Sequence, residues 1–486
     1  MKPELEPIVQ HYLDGSISPE EARRLNEELA TDQEARRRFT EWLNLDSALA
    51  EAAAGWSLPA EKVPQKPRFT RFHFGIAAAA VLVIFLTVLP WRSHSPATVV
   101  SIAGVPEWTM GLKIGTKEYH IDEGSIELQT REGARIAIEA PAVFRFPSSM
   151  RMEVTRGRVA ADVPPAAKGF TLVTPRGEAI DLGTRFGVDV VEGGDSEIHV
   201  FEGEVIAKNR HDEGGKSLRQ GDAIALRTET SAIRNLRSSA FIHPDEVPGL
   251  TAGLAAGQRG RAGDRVDKLR LDPSLIALLD FEKQIPHQGN FRVVQGRWPG
   301  SKAPEFVEEN DHLKLDAGAD REWPLLTLAA WVRLDKLGAP YQSLLHTDDW
   351  DENKKGQVHW MVTRHMTMRL ALRGNTLADT AEESEGYPDS RTSVLPEQGR
   401  WVHLAAVYDS TAKTVRFYLN GRFDKQTLLE TAHPARLGPA QIGNWNRNDR
   451  RLSGRVDELL LLGRAMSDQE IRELFEAGNP YHNHQL

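Results

Sequence analysis

The chain has 486 residues, a formal net charge of −9, 40% apolar and 27% charged residues, and no cysteine. That length exceeds the roughly 250–300 residues at which one hydrophobic core stops growing, so two or more domains are expected. The acidic balance, with no long Lys/Arg block, excludes the electrostatic footprint of a nucleic-acid binder, and the missing cysteines exclude disulfide staples, Cys-ligated zinc and thiol nucleophiles.

Residues 1–60 carry helix-start signals. Ser18 precedes Pro19, with Glu21 three residues on, and Thr31 is followed by Glu34 at the same spacing. Leu25, Leu29, Phe39, Trp42, Leu43, Leu45 and Leu49 recur at three- and four-residue steps, which predicts a small all-α bundle or hairpin. So short a piece buries little surface, which suits completion of its core on a partner. The stretch from Tyr12 to Leu25, followed by Ala30 to Phe39, resembles the N-terminal segments of membrane-bound anti-sigma factors. That resemblance implies an extracytoplasmic-function (ECF) sigma factor as partner. Zinc-binding members of the group use a His-x3-Cys-x2-Cys arrangement, so in this cysteine-free chain His11 reads as a surface residue.

A basic juxtamembrane linker, 61–73, holds Lys62, Lys66, Arg68 and Arg71. Residues 74–91 then run from Phe74 to Trp91 without a formal charge, just long enough for the roughly 17–25 residues of a transmembrane helix. The run begins too late for a signal peptide, and the excess of basic residues before it predicts a cytoplasmic N-terminus. The expected topology is a single pass through the inner (cytoplasmic) membrane, with the C-terminal domains periplasmic.

Residues 92–240 alternate short β-rich runs with glycine and proline, predicting an all-β domain. Thr174 to Val190, Glu197 to Val205, Glu139 to Phe146 and Ser217 to Leu226 closely resemble the FecR family, whose members relay outer signals to sigma factors. Gly177, Gly183, Gly187 and Gly203 read as turn or bulge positions, and Asp181, Thr184, Arg185 and Glu202 as turn-bonding or salt-bridging residues with no catalytic role.

The Gly/Ala-rich stretch 241–273 predicts a flexible linker. Beyond it, 274–482 carries strand-like runs at Leu325–Leu334, Trp401–Asp409 and Thr414–Leu419, with Asn420-Gly421 as a hairpin turn. These runs, with Leu452 to Ile471, resemble an all-β LamG-like or concanavalin A-like jelly-roll sandwich. Relatives bind glycans or proteins, some with calcium in the rim loops. Asp348, Asp349 and Asp351 offer clustered oxygen ligands for Ca2+, against the reading of a solvated acidic loop, while Trp350, Trp445 and Asn446 are candidates for carbohydrate contact. A Glu-x-Asp-x-Glu glycosidase strand is missing and Asp457-Glu458 reads as structural, so no enzymatic activity is expected.

The fold class expected is therefore multidomain: a small all-α segment, one transmembrane helix, an all-β FecR-like domain and an all-β jelly roll. The function expected is relay of a periplasmic or surface signal to a sigma factor. The alternative is an envelope protein that binds glycan or a neighbouring protein without signalling.

Overall fold

Alternation in the stretch Arg135–Ser148 sends Ile136, Ile138, Ala140, Ala142, Phe144 and Phe146 to one side, where all six enter a single core. This pattern recurs along much of the chain, and the result is two β modules. The computed structural model describes residues 95–481 apart from 212–213, 229, 256, 283–287, 319–320, 336–339, 352 and 379–385.

In the first module the strands between Ala97 and Asn235 form one branched sheet of 14 strands. Its spine is the antiparallel hairpin of Arg135–Ser148 with Arg151–Asp162. The second strand of that pair changes parity part-way. Met152 and Val154 face the core, whereas beyond Gly157 it is Val159 and Ala161 that do. Gly157 sits at φ +114° beside a register shift, and a Cβ there would collide with Ala142. This bulge turns Arg158 to the opposite face from the core.

The second module stacks a nine-stranded on a six-stranded antiparallel sheet, with a core between them that includes Trp360, Val332, Leu404, Phe417 and Leu461. Asn420 and Gly421, both at positive φ, close the hairpin of Thr414–Leu419 with Arg422–Thr431 as expected.

The stretch expected as a flexible linker is instead structured. It forms helices α1 (Val247–Ala255) and α2 (Gln258–Arg270). On α1, Val247 and Leu250 pack with Ala103 and Ala137 of the first module, and the Thr251 hydroxyl donates to the Ile102 carbonyl at 2.5 Å. On α2, Val266 and Leu269 pack on Leu460 and Leu462 of the second, together with Ile471 and Leu474 of helix α3 (Asp468–Gly478). Glycine here serves close approach: a Cβ on Gly253 would strike the Pro480 carbonyl.

The fold-class expectation needs correction. The described chain is mostly β-sheet, and its α-helices of 9, 13 and 11 residues fall short of the roughly 17–25 that a span requires. No helix among the described residues is long and apolar enough to cross a membrane. The all-α segment 1–60 and the span Phe74–Trp91 lie outside the described residues and find no support as parts of the fold.

Candidate functional site: a charged seam between two β modules

Strand register lines up a row of polar residues on the face that the Gly157 bulge exposes. Glu139 pairs with Arg158, Arg158 with Asp189, and Asp189 with Glu197, each on the next strand. The second module presents a matching row, in which Arg292 pairs with Glu305, Glu305 with Arg455, and Arg455 with Arg333. Three carboxylates and one guanidinium thus face three guanidiniums and one carboxylate, so the formal charges cancel.

The two rows interlock. Arg158 donates to both oxygens of Glu305 at 3.0 and 2.9 Å and to Asp189 at 2.9 Å. Arg455 reaches the other way to Glu139 at 2.6 Å, while Arg292 holds both oxygens of Asp189 at 3.1 Å. The turn Ser238–Ala240 threads between them, and its Ala240 carbonyl accepts from Arg158 and Arg455 at 3.0 and 2.9 Å. Arg333 closes the far end on the Phe241 carbonyl at 2.8 Å. Glu305 is fully buried, and Arg158 and Arg455 are nearly so.

Removing these groups from water is costly, and only the mutual pairing offsets it. Burial alone would push the Glu305 carboxyl up; Arg158, Arg292 and Arg455 outweigh burial and hold it well below the usual range. The same contest, with Arg158 and Arg292 prevailing, holds Asp189 down. Glu197 is brought to about 2 against the opposing effect of burial, by its bond to His199 and the nearby Arg237. Asp335 goes the other way. Burial and the neighbouring Glu305 raise it, and its carboxylate has no hydrogen-bond partner among the described residues, with Arg237 at 3.8 Å.

Comparison with known proteins assigns both modules. Residues 117–206 match the FecR protein family model, and residues 308–472 match the model of the concanavalin A-like lectin/glucanases superfamily. The chain carries a FecR region and a concanavalin A-like region. Among solved structures, it is similar to a putative anti-sigma factor from Parabacteroides distasonis at 18% identity and TM-score 0.23, covering 26% of this chain and 62% of that one. It is also similar to a putative carbohydrate binding protein from Bacteroides ovatus, at 14% identity and TM-score 0.27, covering 35% of this chain and 46% of that one. A third is the Ruminococcus gnavus IT-sialidase CBM40 bound to α2,6 sialyllactose, at 16% identity and TM-score 0.28, covering 35% and 97%. No curated protein matches the chain.

The sequence-predicted site residues lie at one end of the concanavalin A-like region. Trp350 stacks on His359 at 3.6 Å between ring centroids, and Trp445 lies 4.3 Å from His346. Trp445 is only 3% exposed and has Arg447 and Arg450 over its ring, so its faces are taken by the protein itself. Asn446 is exposed, and its amide donates to Asp349 at 2.5 Å. Asp351 accepts from the Asn353 backbone N–H at 2.9 Å, and burial raises Asp348. Asp349 and Asp351 are thus drawn to separate partners, and no group of three or more His, Asp or Glu placed to hold a metal occurs among the described residues. Burial drives His346 down to about 2 and His359 lower still, so both rings are neutral packing groups.

Asp181, Thr184 and Gly183 form the turn the sequence suggests, with the Gly183 N–H donating to Asp181 at 2.8 Å. Asp457 and Glu458 hold Arg297, Asp457 accepting its backbone N–H at 2.9 Å. The seam itself was missed, although Glu139, Arg158, Asp189 and Glu197 all stand within apolar strand runs, and a charge at such a position signals a buried partner.

Proposed function

We propose that this protein is a non-catalytic signalling regulator of FecR type. In this reading the concanavalin A-like region senses a glycan or an envelope protein outside the cytoplasm. The FecR region passes the resulting state to an ECF sigma factor. The observation that carries the reading is the buried seam: a FecR region is locked to a binding-type β-sandwich through interleaved ion pairs. A ligand that shifts one region must then shift the other or break those pairs.

The family assignments of the two regions support it, as does the resemblance of residues 12–39 to anti-sigma N-terminal segments. Co-purification of the full chain with each sigma factor of its host tests the partner, and retention of one of them is expected. Recovery of none, alongside glycan or protein binding, would leave an adhesion or scaffold protein instead. Protease protection in intact cells tests the extracytoplasmic placement of the two β regions.

A further inference from the structure

The two regions leave a groove of about 630 Å3 beside the seam, inside the roughly 300–1,000 Å3 typical of small-molecule sites. We propose that this groove binds a neutral oligosaccharide, which makes the junction itself the ligand sensor. The inference rests on the sensing role given above and moves its ligand from the end of the sandwich to the seam.

One residue points to a missing partner. Gln295, at the end of strand Arg292–Gln295, lines the groove and is 5% exposed. Its Nε2 donates to the Ser125 hydroxyl of the FecR region at 3.1 Å, and its backbone carbonyl accepts from Arg455 at 3.0 Å. Its Oε1, in contrast, is buried with no hydrogen-bond partner among the described residues. A buried acceptor left unpaired costs free energy, and a ligand hydroxyl donating to it removes that cost.

The rest of the lining sets the ligand class. Trp108, braced by Tyr119 at 5.6 Å between centroids, and Val293, 44% exposed, give an apolar wall suited to the C–H face of a sugar ring. Around them Glu107, Asp122 and Glu123 stand against Arg156 and Lys302. That mixture offers hydrogen bonds to several hydroxyls and favours neither an anion nor a cation. A sugar bonded to Gln295 would touch the residue whose side chain holds Ser125 and whose backbone carbonyl holds Arg455 of the seam.

The test uses the full-length protein titrated calorimetrically with cellotriose, laminaritriose, maltotriose and chitotriose, and with a heparin-derived disaccharide as the charged arm. Binding of at least one neutral trisaccharide is expected. Gln295→Leu should weaken it about tenfold, and Lys302→Trp, an exposed position that narrows the groove, should abolish it, while Trp350→Ala leaves it unchanged. Unaltered thermal melting of each variant separates lost binding from lost folding. Binding of the heparin disaccharide alone, or of nothing in the panel, overturns the proposal. Loss in Trp350→Ala with retention in both groove variants overturns it as well, while leaving a glycan sensor whose site is the end of the sandwich. Sigma-factor co-purification is read separately, so its failure is distinguishable from these results.

Discussion

Replacing Glu305 by glutamine keeps the shape of the seam and removes one charge. In the wild type that carboxylate is fully buried and accepts from Arg158 at 3.0 and 2.9 Å and from Arg455 at 3.3 Å, with Arg292 at 3.7 Å. Glutamine leaves three guanidiniums facing a neutral amide, and half of its acceptor capacity becomes a donor pointed at donors. Breaking a buried pair on one side costs about 3–5 kcal/mol. Hydrogen exchange read on Arg185–Val190 and Lys302–Phe306, strands on opposite sides of the seam, should then be about two to four orders of magnitude faster wherever exchange follows seam opening. Adding Arg158→Met to Glu305→Gln should cost less than the sum of the single changes, because the second removes a stranded cation. A loss under ~1 kcal/mol for Glu305→Gln, or exchange that rises on one side only, would refute the view of the seam as a two-sided lock.

Three further outcomes follow from individual contacts. Gly104 sits at φ +69° where a Cβ would strike Pro299 across the seam, so Gly104→Val should destabilise the protein by ~1–3 kcal/mol in urea unfolding. The buried Asp457 carboxyl is pushed up to about 7 by burial, against the pull of Arg297. Because its folded pKa lies above the unfolded one, its contribution is full below about pH 4 and is lost as pH rises through 7. Asp457→Asn should therefore gain stability over the wild type as pH climbs from 4 to 8, by a few kcal/mol, and pH-dependent urea titrations showing a constant difference would contradict this. Ser467 caps α3 in a reciprocal box with Glu470, so Ser467→Ala should lower the stability by ~1 kcal/mol without affecting glycan binding.

Local patterns were legible wherever the physics was local. Asn420-Gly421 announced its hairpin because both residues tolerate the left-handed backbone the turn requires. Alternation in Arg135–Ser148 announced which side faces the core. The connector was misread because Gly249, Gly253, Gly260 and Gly263 lower helix propensity, and propensity alone cannot see the two β modules whose packing surfaces overcome it. The rim tryptophans were aromatic as expected, but nothing in the sequence says that Arg447 and Arg450 cover Trp445. The seam was hardest to read, since Glu139 and Arg455 meet across 316 positions and their pairing depends on how two whole sheets dock.

The connector has a consequence for cleavage. It rides on the FecR region as far as Ala255 and on the concanavalin A-like region from Gln258 onward. A protease cutting between those points would divide the polypeptide without dividing the molecule, since Arg158, Glu305, Arg455 and Glu139 would still clasp the halves. Separation of the two halves would then be a two-key event, requiring both the cut and the parting of the charge rows.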